Sequence, residues 1–340
     1  PPWGLLTGVR PTKLAFDRIN AGMTKDQTVK SLRSDYLMYP KKAILATDIA
    51  RAEAKIINNY SDRDCSIYVS IPFCPSRCAY CSFVSYTTKK LLSLIPDYLA
   101  AMKRELELLS GMIRDLGMNV VTIYVGGGTP STLDENRLED LLSFIDSCFD
   151  TKALHEYTFE AGRADTITAA KLASCKAHNV SRISVNPQSL CEEVLVNVGR
   201  MHTVKQFYEA YELAAKSGIP HINTDLIIGL PGDTFRTYSD TIEKIIELSP
   251  DNITAHTFAM KKSSALTATG ENVVTVDNRE FVKCVDYTQI VTKSAGYFPY
   301  YMYRQKNTLD NLENVGYSKE GSICVYNIDM MEDGMSILAH

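Results

Sequence analysis

The pattern of apolar and polar positions changes period once along the chain. Up to about residue 60, apolar residues recur at helical intervals, most clearly over 44–58, so an amphipathic helical segment is expected there. Ser61-Asp62-Arg63-Asp64 is a polar break. Beyond it, short runs rich in β-branched and aromatic residues alternate with longer helical stretches. Residues 66–71, 120–125, 156–160, 182–186, 221–228 and 252–258 predict six strands. Residues 96–116, 133–149, 166–178, 203–217 and 235–248 predict the helices between and after them, and 279–295 a later helix. Such alternation implies an α/β fold with a parallel sheet and right-handed crossovers. Ligands in these sheets sit beyond the C-terminal strand ends, so chemistry is expected in the residues that follow each strand. Three parts are expected: a helical segment over 1–62, a six-unit β/α core over 63–260, and a small α+β extension over 261–340. Pro1 is no initiator methionine and Leu338-Ala339-His340 follows a strand onset, so both ends read as cuts in a longer protein and the extension as incomplete.

The chain has 340 residues, 45% hydrophobic and 22% charged, which excludes disorder and low complexity. That length fits about two domains, or one large barrel with additions. No apolar run approaches the ~20 residues of a membrane helix. The start, PPWGLLTGVRPTK, has no charged region followed by an apolar core, so it is not a signal peptide. A net charge of −4 disfavours bulk nucleic-acid binding. Nine cysteines, an odd number, do not form a closed disulfide framework. Six are scattered singly, as buried small hydrophobes are, while Cys74, Cys78 and Cys81 crowd into one stretch. A cytoplasmic chain with one dedicated thiolate site is expected.

That stretch follows the first expected strand with spacing C-x3-C-x2-C. A tetrahedral zinc site wants four closed ligands, usually two knuckles, and no second knuckle is present. A zinc knuckle borrowing a distant ligand, a Cys78–Cys81 redox dithiol and three unligated thiols remain as alternatives. A four-iron cluster held by three thiolates would keep one iron open, and an open metal position means chemistry. After the second strand stands Gly126-Gly127-Gly128-Thr129-Pro130-Ser131, whose backbone N–H groups suit an anionic group, or a plain tight turn. Ser131-x-x-Asp134 is a candidate cap for the next helix. Glu160 ends the third strand, with an ion pair to Arg163 as its plainer reading. Gln188 follows the fourth strand, Arg200 comes twelve residues later, and Asp225 lies inside an apolar strand, where a carboxylate is costly unless paired.

The run Y-x-x-I-P-F-C-x-x-x-C-x-Y-C, from Tyr68 to Cys81, resembles the radical S-adenosylmethionine (SAM) signature. Its flanks resemble the oxygen-independent coproporphyrinogen III oxidase (HemN-like) family. The resemblance implies a partial (β/α)6 barrel, a [4Fe-4S] cluster on Cys74, Cys78 and Cys81, and SAM chelated at the open iron. One-electron cleavage of SAM then releases a 5′-deoxyadenosyl radical that abstracts hydrogen. By the same resemblance Gly127, Gly128 and Thr129 receive the methionyl amino group. Tyr68, Tyr80, Glu160, Gln188 and Arg200 also fall at the SAM site, and Asp225 near the adenosyl half. Asn186-Pro187 departs from the family's Gly-plus-aliphatic pair, and Ser82-Phe83 from the oxidase's Gly-Cys-Asn after the last cysteine.

Leu6-Thr7-Gly8-Val9-Arg10-Pro11-Thr12-Lys13, Ser70, Glu160-Ala161-Gly162-Arg163, His256-Thr257, Tyr303-Arg304-Gln305-Lys306-Asn307 and Asn314-Val315-Gly316-Tyr317 resemble the HemZ subgroup. The implied reaction is oxidative decarboxylation of two propionates of coproporphyrinogen III to vinyls, with a reductant such as flavodoxin or ferredoxin. Heme binding and delivery with a retained cluster, and another tetrapyrrole reaction such as anaerobic heme degradation, are the alternatives. Lys261, Lys262, Arg304 and Lys306 are candidate partners for substrate carboxylates, Arg304 and Lys306 foremost. The aromatic run 298–303 is a candidate face for stacking on a tetrapyrrole, with a packed or edge strand as its plainer reading. No side chain is assigned a catalytic role. Cluster and substrate are oxygen-sensitive, so an anaerobic cytoplasm is expected.

Overall fold

A computed structural model describes residues 2–8, 10–259, 278–305, 312–332 and 334–339. Three helices open the chain: α1 (Thr12–Asn20), α2 (Lys25–Tyr36) and α3 (Pro40–Ile57). Thr24 and Gln27 cap α2 reciprocally, and Pro40 starts α3 at a position whose N–H has no helical partner in any case.

Six parallel strands then lie side by side in chain order: β1 (Asp64–Ile71), β2 (Asn119–Gly127), β3 (Glu156–Gly162), β4 (Arg182–Val185), β5 (His221–Ile228) and β6 (Asn252–Thr257). After β1 come the short α4 (Lys89–Leu92) and α5 (Ile95–Leu116). The other crossovers are α6 (Glu135–Cys148), α7 (Ala169–Ala177), and α8 (Glu192–Asn197) with α9 (Val204–Lys216). After β5 comes α10 (Phe235–Leu248), and α11 (Asn278–Ser294) follows later. The helix expected from 166 starts at Ala169, because Ala164–Thr166 forms a 3-10 turn and Thr168 then caps the helix through the Lys171 N–H. Ser131 does not cap α6: Asp134 does, accepting from the Arg137 N–H at 2.9 Å.

The chain after β6 adds to the same sheet. β8 (Glu313–Ser318) pairs antiparallel with β6, and β7 (Phe298–Arg304) antiparallel with β8. Helix α12 (Val325–Met331) leads to β9 (Ser336–Ala339), which pairs parallel with β1 at the other edge. The nine strands run β7-β8-β6-β5-β4-β3-β2-β1-β9, an open mixed sheet that curves into a partial barrel. The run 298–303 and the strand onset before Leu338 thus become β7 and β9, while β8 is a strand that the sequence pattern does not mark.

Period-two alternation divides each core strand between two environments. Ile67, Val69, Ile123, Val125, Phe159, Ile183, Leu226 and Ile253 face outward into one core with Leu106, Leu142, Leu172, Phe207 and Ile242 of the helices. Burying each such side chain contributes roughly 1.5–3 kcal/mol. The inward positions are polar yet buried: Ser66, Thr122, Glu156, Thr158, Arg182, Asn223, Asn252 and Thr254. At the N-terminal strand ends the Arg182 Nε donates to Glu156 Oε2 at 3.0 Å. Arg182 also donates to the carbonyls of Ser322 and Ile323, and Glu156 accepts the N–H groups of Val325 and Tyr326. Residues 322–326 thereby floor the barrel.

The N-terminal segment is fastened to the far edge. Trp3 Nε1 donates to Glu313 Oε2 at 3.1 Å, and the Lys42 ammonium pairs with the other oxygen. No helix among the described residues is long and apolar enough to cross a membrane.

Candidate active site

A cavity of about 850 Å³ opens at the C-terminal strand ends. It is bordered by Cys74, Cys78 and Cys81, and by Tyr68, Tyr80, Gly127, Gly128, Thr129, Glu160, Gln188, Arg200 and Asp225. Every sequence-expected cluster and SAM residue therefore borders one space.

The cysteine loop is held by its neighbours rather than by regular structure. Cys74 N–H donates to the Tyr86 carbonyl and Ala79 N–H to the Val198 carbonyl. Phe73 packs edge-on against Tyr98 at 5.3 Å, and Tyr98 donates to the Ser70 carbonyl. Arg163 pairs with Asp165 at 2.8 Å and donates to Ser76 Oγ at 2.7 Å, tying the loop to the end of β3. The plainer reading of Glu160 as Arg163's partner is thus corrected. Burial pushes the Cys74 and Cys81 thiols above their usual range, and each lies in the field of the others. Among the described residues no three metal-binding side chains converge on a single ion. A cluster takes its thiolates on separate irons, so ligands stand around a space instead.

The glycines are a backbone necessity. Gly127 has φ +111°, and a Cβ on Gly128 would lie 2.8 Å from the Phe73 carbonyl oxygen and 3.0 Å from Cys74 Sγ. Only glycine lets β2 pass this close to the cysteine loop. The Gly128 and Thr129 N–H groups donate to the Ile71 and Phe73 carbonyls, and Thr129 Oγ1 lies 3.3 Å from Cys74 Sγ.

Glu160 accepts from Tyr124 and the Gly127 N–H, yet burial and then the nearby Asp225 charge push its carboxyl up to about 7. Arg200 is buried, not a solvated helix-start charge: it donates to Tyr80 Oη at 3.0 Å, to the Gly162 carbonyl at 3.1 Å and to the Asn186 carbonyl. One of its Nη atoms faces Cys78 Sγ at 3.9 Å. Asn186 Nδ2 donates to Asp225 Oδ2 at 3.0 Å, so the strand carboxylate is paired. Burial, and then Arg200, pull His202 down to about 3.

Four buried polar atoms of residues bordering the cavity have no partner among the described residues: Ser85 Oγ, Gln188 Oε1, Arg200 Nε and Tyr326 Oη. Unpaired buried polar atoms on a cavity, beside a glycine edge and three thiols, fit a polar ligand together with a thiolate-held cluster. Cys74, Cys78 and Cys81 would hold the cluster, and the glycine edge with Glu160, Gln188, Arg200 and Asp225 would hold SAM.

The opposite wall takes in part of the aromatic run 298–303, which the sequence offers as a face to stack on a tetrapyrrole or, more plainly, as a packed or edge strand; Tyr326 and Asn327 were not read from the sequence. Tyr301, Tyr303, His256, Asn314, Tyr326 and Asn327 line it. Tyr124 stacks on Tyr326 at 4.4 Å between ring centres, and His256 Nδ1 lies 3.0 Å from Tyr303 Oη. Arg304 is on the other parity of β7 and leaves the cavity. Its guanidinium donates to the carbonyls of Leu6 at 3.0 Å and Gly8 at 3.3 Å and lies over Trp3 at 5.6 Å. Its expected role toward substrate carboxylates is corrected to one of fastening the N-terminal segment. Lys261, Lys262 and Lys306 lie outside the described residues.

The remaining six cysteines, Cys65, Cys148, Cys175, Cys191, Cys284 and Cys324, lie outside the cavity wall, and all nine are free thiols. Cys65, Cys175, Cys284 and Cys324 are buried.

Residues 68–245 match the model of the radical SAM superfamily. The chain is 39% identical to the oxygen-independent coproporphyrinogen-III oxidase-like protein HemZ of Bacillus subtilis, across 99% of this chain and 68% of that protein. It is 32% identical to the heme chaperone HemW of Mycobacterium tuberculosis, over 59% of this chain and 51% of the chaperone. The structure of the Escherichia coli radical SAM enzyme coproporphyrinogen III oxidase (HemN) superposes with a TM-score of 0.68 at 21% identity, covering 85% of this chain and 66% of that one. The chain thus spans about half of the chaperone and just under two thirds of the oxidase structure.

Proposed function

The chain belongs to the radical SAM superfamily and, within it, to the oxygen-independent coproporphyrinogen-III oxidase-like family, and from this we propose that it oxidatively decarboxylates propionates of coproporphyrinogen III to vinyls. The superfamily works with a [4Fe-4S] cluster and SAM. The observation that carries the substrate is the likeness to HemZ along 99% of this chain.

Held by Cys74, Cys78, Cys81 and the glycine edge, cluster and SAM would supply hydrogen-atom abstraction driven by one-electron reduction. The chain's own part is holding. The glycine edge and the cysteine loop fix each other through the Gly128 and Thr129 N–H groups. Arg200 places positive charge beside Cys78 and Tyr80, where thiolate charge develops. The tyrosine wall opposite offers flat apolar faces to a tetrapyrrole. In the proposed reaction each propionate would give its hydrogen atom to the 5′-deoxyadenosyl group, release CO2 and pass one electron to an external one-electron acceptor, while a flavodoxin- or ferredoxin-type protein would deliver the electron that cleaves SAM. Oxygen-sensitive parts of this kind suit an anaerobic cytoplasm.

The test is anaerobic reconstitution with iron, sulfide, reductant, SAM and coproporphyrinogen III. Vinyl product together with 5′-deoxyadenosine is expected. 5′-Deoxyadenosine without vinyl product rejects the substrate and leaves the radical chemistry standing. A second reading, heme binding and delivery, is favoured by the 32% identity to a heme chaperone. Stoichiometric heme binding without porphyrinogen turnover would select it, and heme consumption under reductant would select a degradative reaction.

A further inference from the structure

Asn186 touches both halves of the SAM wall. It continues the inward parity of Arg182 and Ser184 just past β4 and is 3% exposed. Its amide grips one residue at two points: Nδ2 donates to Asp225 Oδ2 at 3.0 Å, and Oδ1 accepts the Asp225 N–H at 3.1 Å. Only an amide in this one orientation satisfies both, since the first contact needs a donor and the second an acceptor. On its other side the Asn186 carbonyl accepts from Arg200, and the Asn186 N–H donates to the Gly162 carbonyl at 3.0 Å. Arg200 shares that Gly162 carbonyl at 3.1 Å.

The next residues reinforce the grip. Pro187 offers no N–H and fixes its own φ. Gln188 adopts φ +67°, its N–H donating to the Asp225 carbonyl and its carbonyl accepting from Ile227. The turn is therefore laced to β5 from both sides. Glu160, Tyr301 and Tyr303 also lie in the field of the Asp225 carboxylate, and His256 Nε2 stands 3.8 Å from it, beyond hydrogen-bond length. Asn186 is thus the group whose hydrogen bond orients that carboxylate.

We propose that Asn186 is a positioning residue for SAM, its amide setting the Asp225 carboxylate while its carbonyl sets the Arg200 guanidinium. The inference rests on the radical SAM reading of the cavity. Asn186 acts through Asp225, so the effects of replacing the two are not independent.

The experiment uses anaerobically reconstituted protein and measures SAM affinity by equilibrium dialysis, iron content, and the electron paramagnetic resonance spectrum of the reduced cluster with and without SAM. Asn186→Ala is expected to bind SAM about tenfold more weakly with unchanged iron, the loss of one hydrogen bond to a charged group. Asp225→Ala weakens SAM as well, and Asn186→Ala adds less than about twofold to it. Asn186→Asp is isosteric and keeps the acceptor for the Asp225 N–H while setting a second carboxylate against the first. It is expected to weaken SAM at least as much, and it carries the test if the alanine variant fails to fold. Wild-type affinity in either variant, or single losses that multiply in the double variant, overturns the proposal. A wild-type cluster whose spectrum ignores SAM overturns the radical SAM reading itself, and is told apart because it appears before any substitution.

Discussion

Arg182 and Glu156 meet inside the barrel wall at 3.0 Å, with 2% and 4% of their side chains exposed. Each then reaches across to residues 322–326, one through carbonyls and the other through N–H groups. Removing one partner of such a pair strands a buried charge at a cost of about 3–5 kcal/mol. Arg182→Met is expected to lower the thermal midpoint sharply and to raise hydrogen exchange first at the 325 and 326 amides. A uniform loss of protection, with those amides no faster than the rest, would refute the floor.

The six core strands and their helices were legible because each strand keeps a continuous apolar outer face. The polar inner face was legible only in part. Glu160, Gln188 and Asp225 stood out as polar residues near strand ends, but Arg182 and Glu156 read as strand beginnings. Their partners lie far along the chain, Ser322 being 140 residues from Arg182. Strand β8 was hidden, and the sequence showed a packed or edge strand over 298–303 and a strand onset before Leu338 without their partners or register. Residues 298–303 are aromatic or apolar on both parities, so no period marks which face the cavity takes, and register decided that Tyr301 and Tyr303 face in while Arg304 faces out. Asn186 showed only as a departure from a pattern; its two contacts depend on where β5 lies.

Arg304 offers a direct test of that register. It is engaged by the carbonyls of Leu6 and Gly8 and by the Trp3 ring. Arg304→Ala is expected to cost about 1–3 kcal/mol of stability through those lost charge-assisted bonds, while the KM for a tetrapyrrole stays within twofold. A large rise in KM with unchanged stability would return Arg304 to the substrate.

The nine cysteines should divide three and six under substitution. Cys78→Ala is expected to lose the visible absorption of the four-iron cluster and the cleavage of SAM, because one iron loses its thiolate. Cys175→Ala sits in the core beside Leu172 and is expected to keep both, with stability reduced by about 1–2 kcal/mol. Iron content per chain after anaerobic reconstitution checks the pair. Full iron in Cys78→Ala, or loss of iron in Cys175→Ala, would contradict the assignment.

Glu53 on α3 is the clearest source of pH-dependent stability. It is fully buried, and neither carboxylate oxygen has a hydrogen-bond partner among the described residues. Burial first, and the neighbouring Glu332 charge second, hold its carboxyl well above the usual glutamate range. The folded chain therefore binds this proton more tightly than the unfolded chain does. Its contribution is complete below the unfolded value, near 4.5, and is lost as pH rises through the folded value. Glu53→Gln carries no charge at any pH and removes that loss. Near pH 4 the two proteins are expected to unfold alike, apart from the cost of burying an amide. Toward pH 8 the variant becomes the more stable by about 1–3 kcal/mol. Urea unfolding at a series of pH values reads the difference directly. Parallel stability curves for the two proteins across that range would show that Glu53 keeps an ordinary carboxyl in the folded chain.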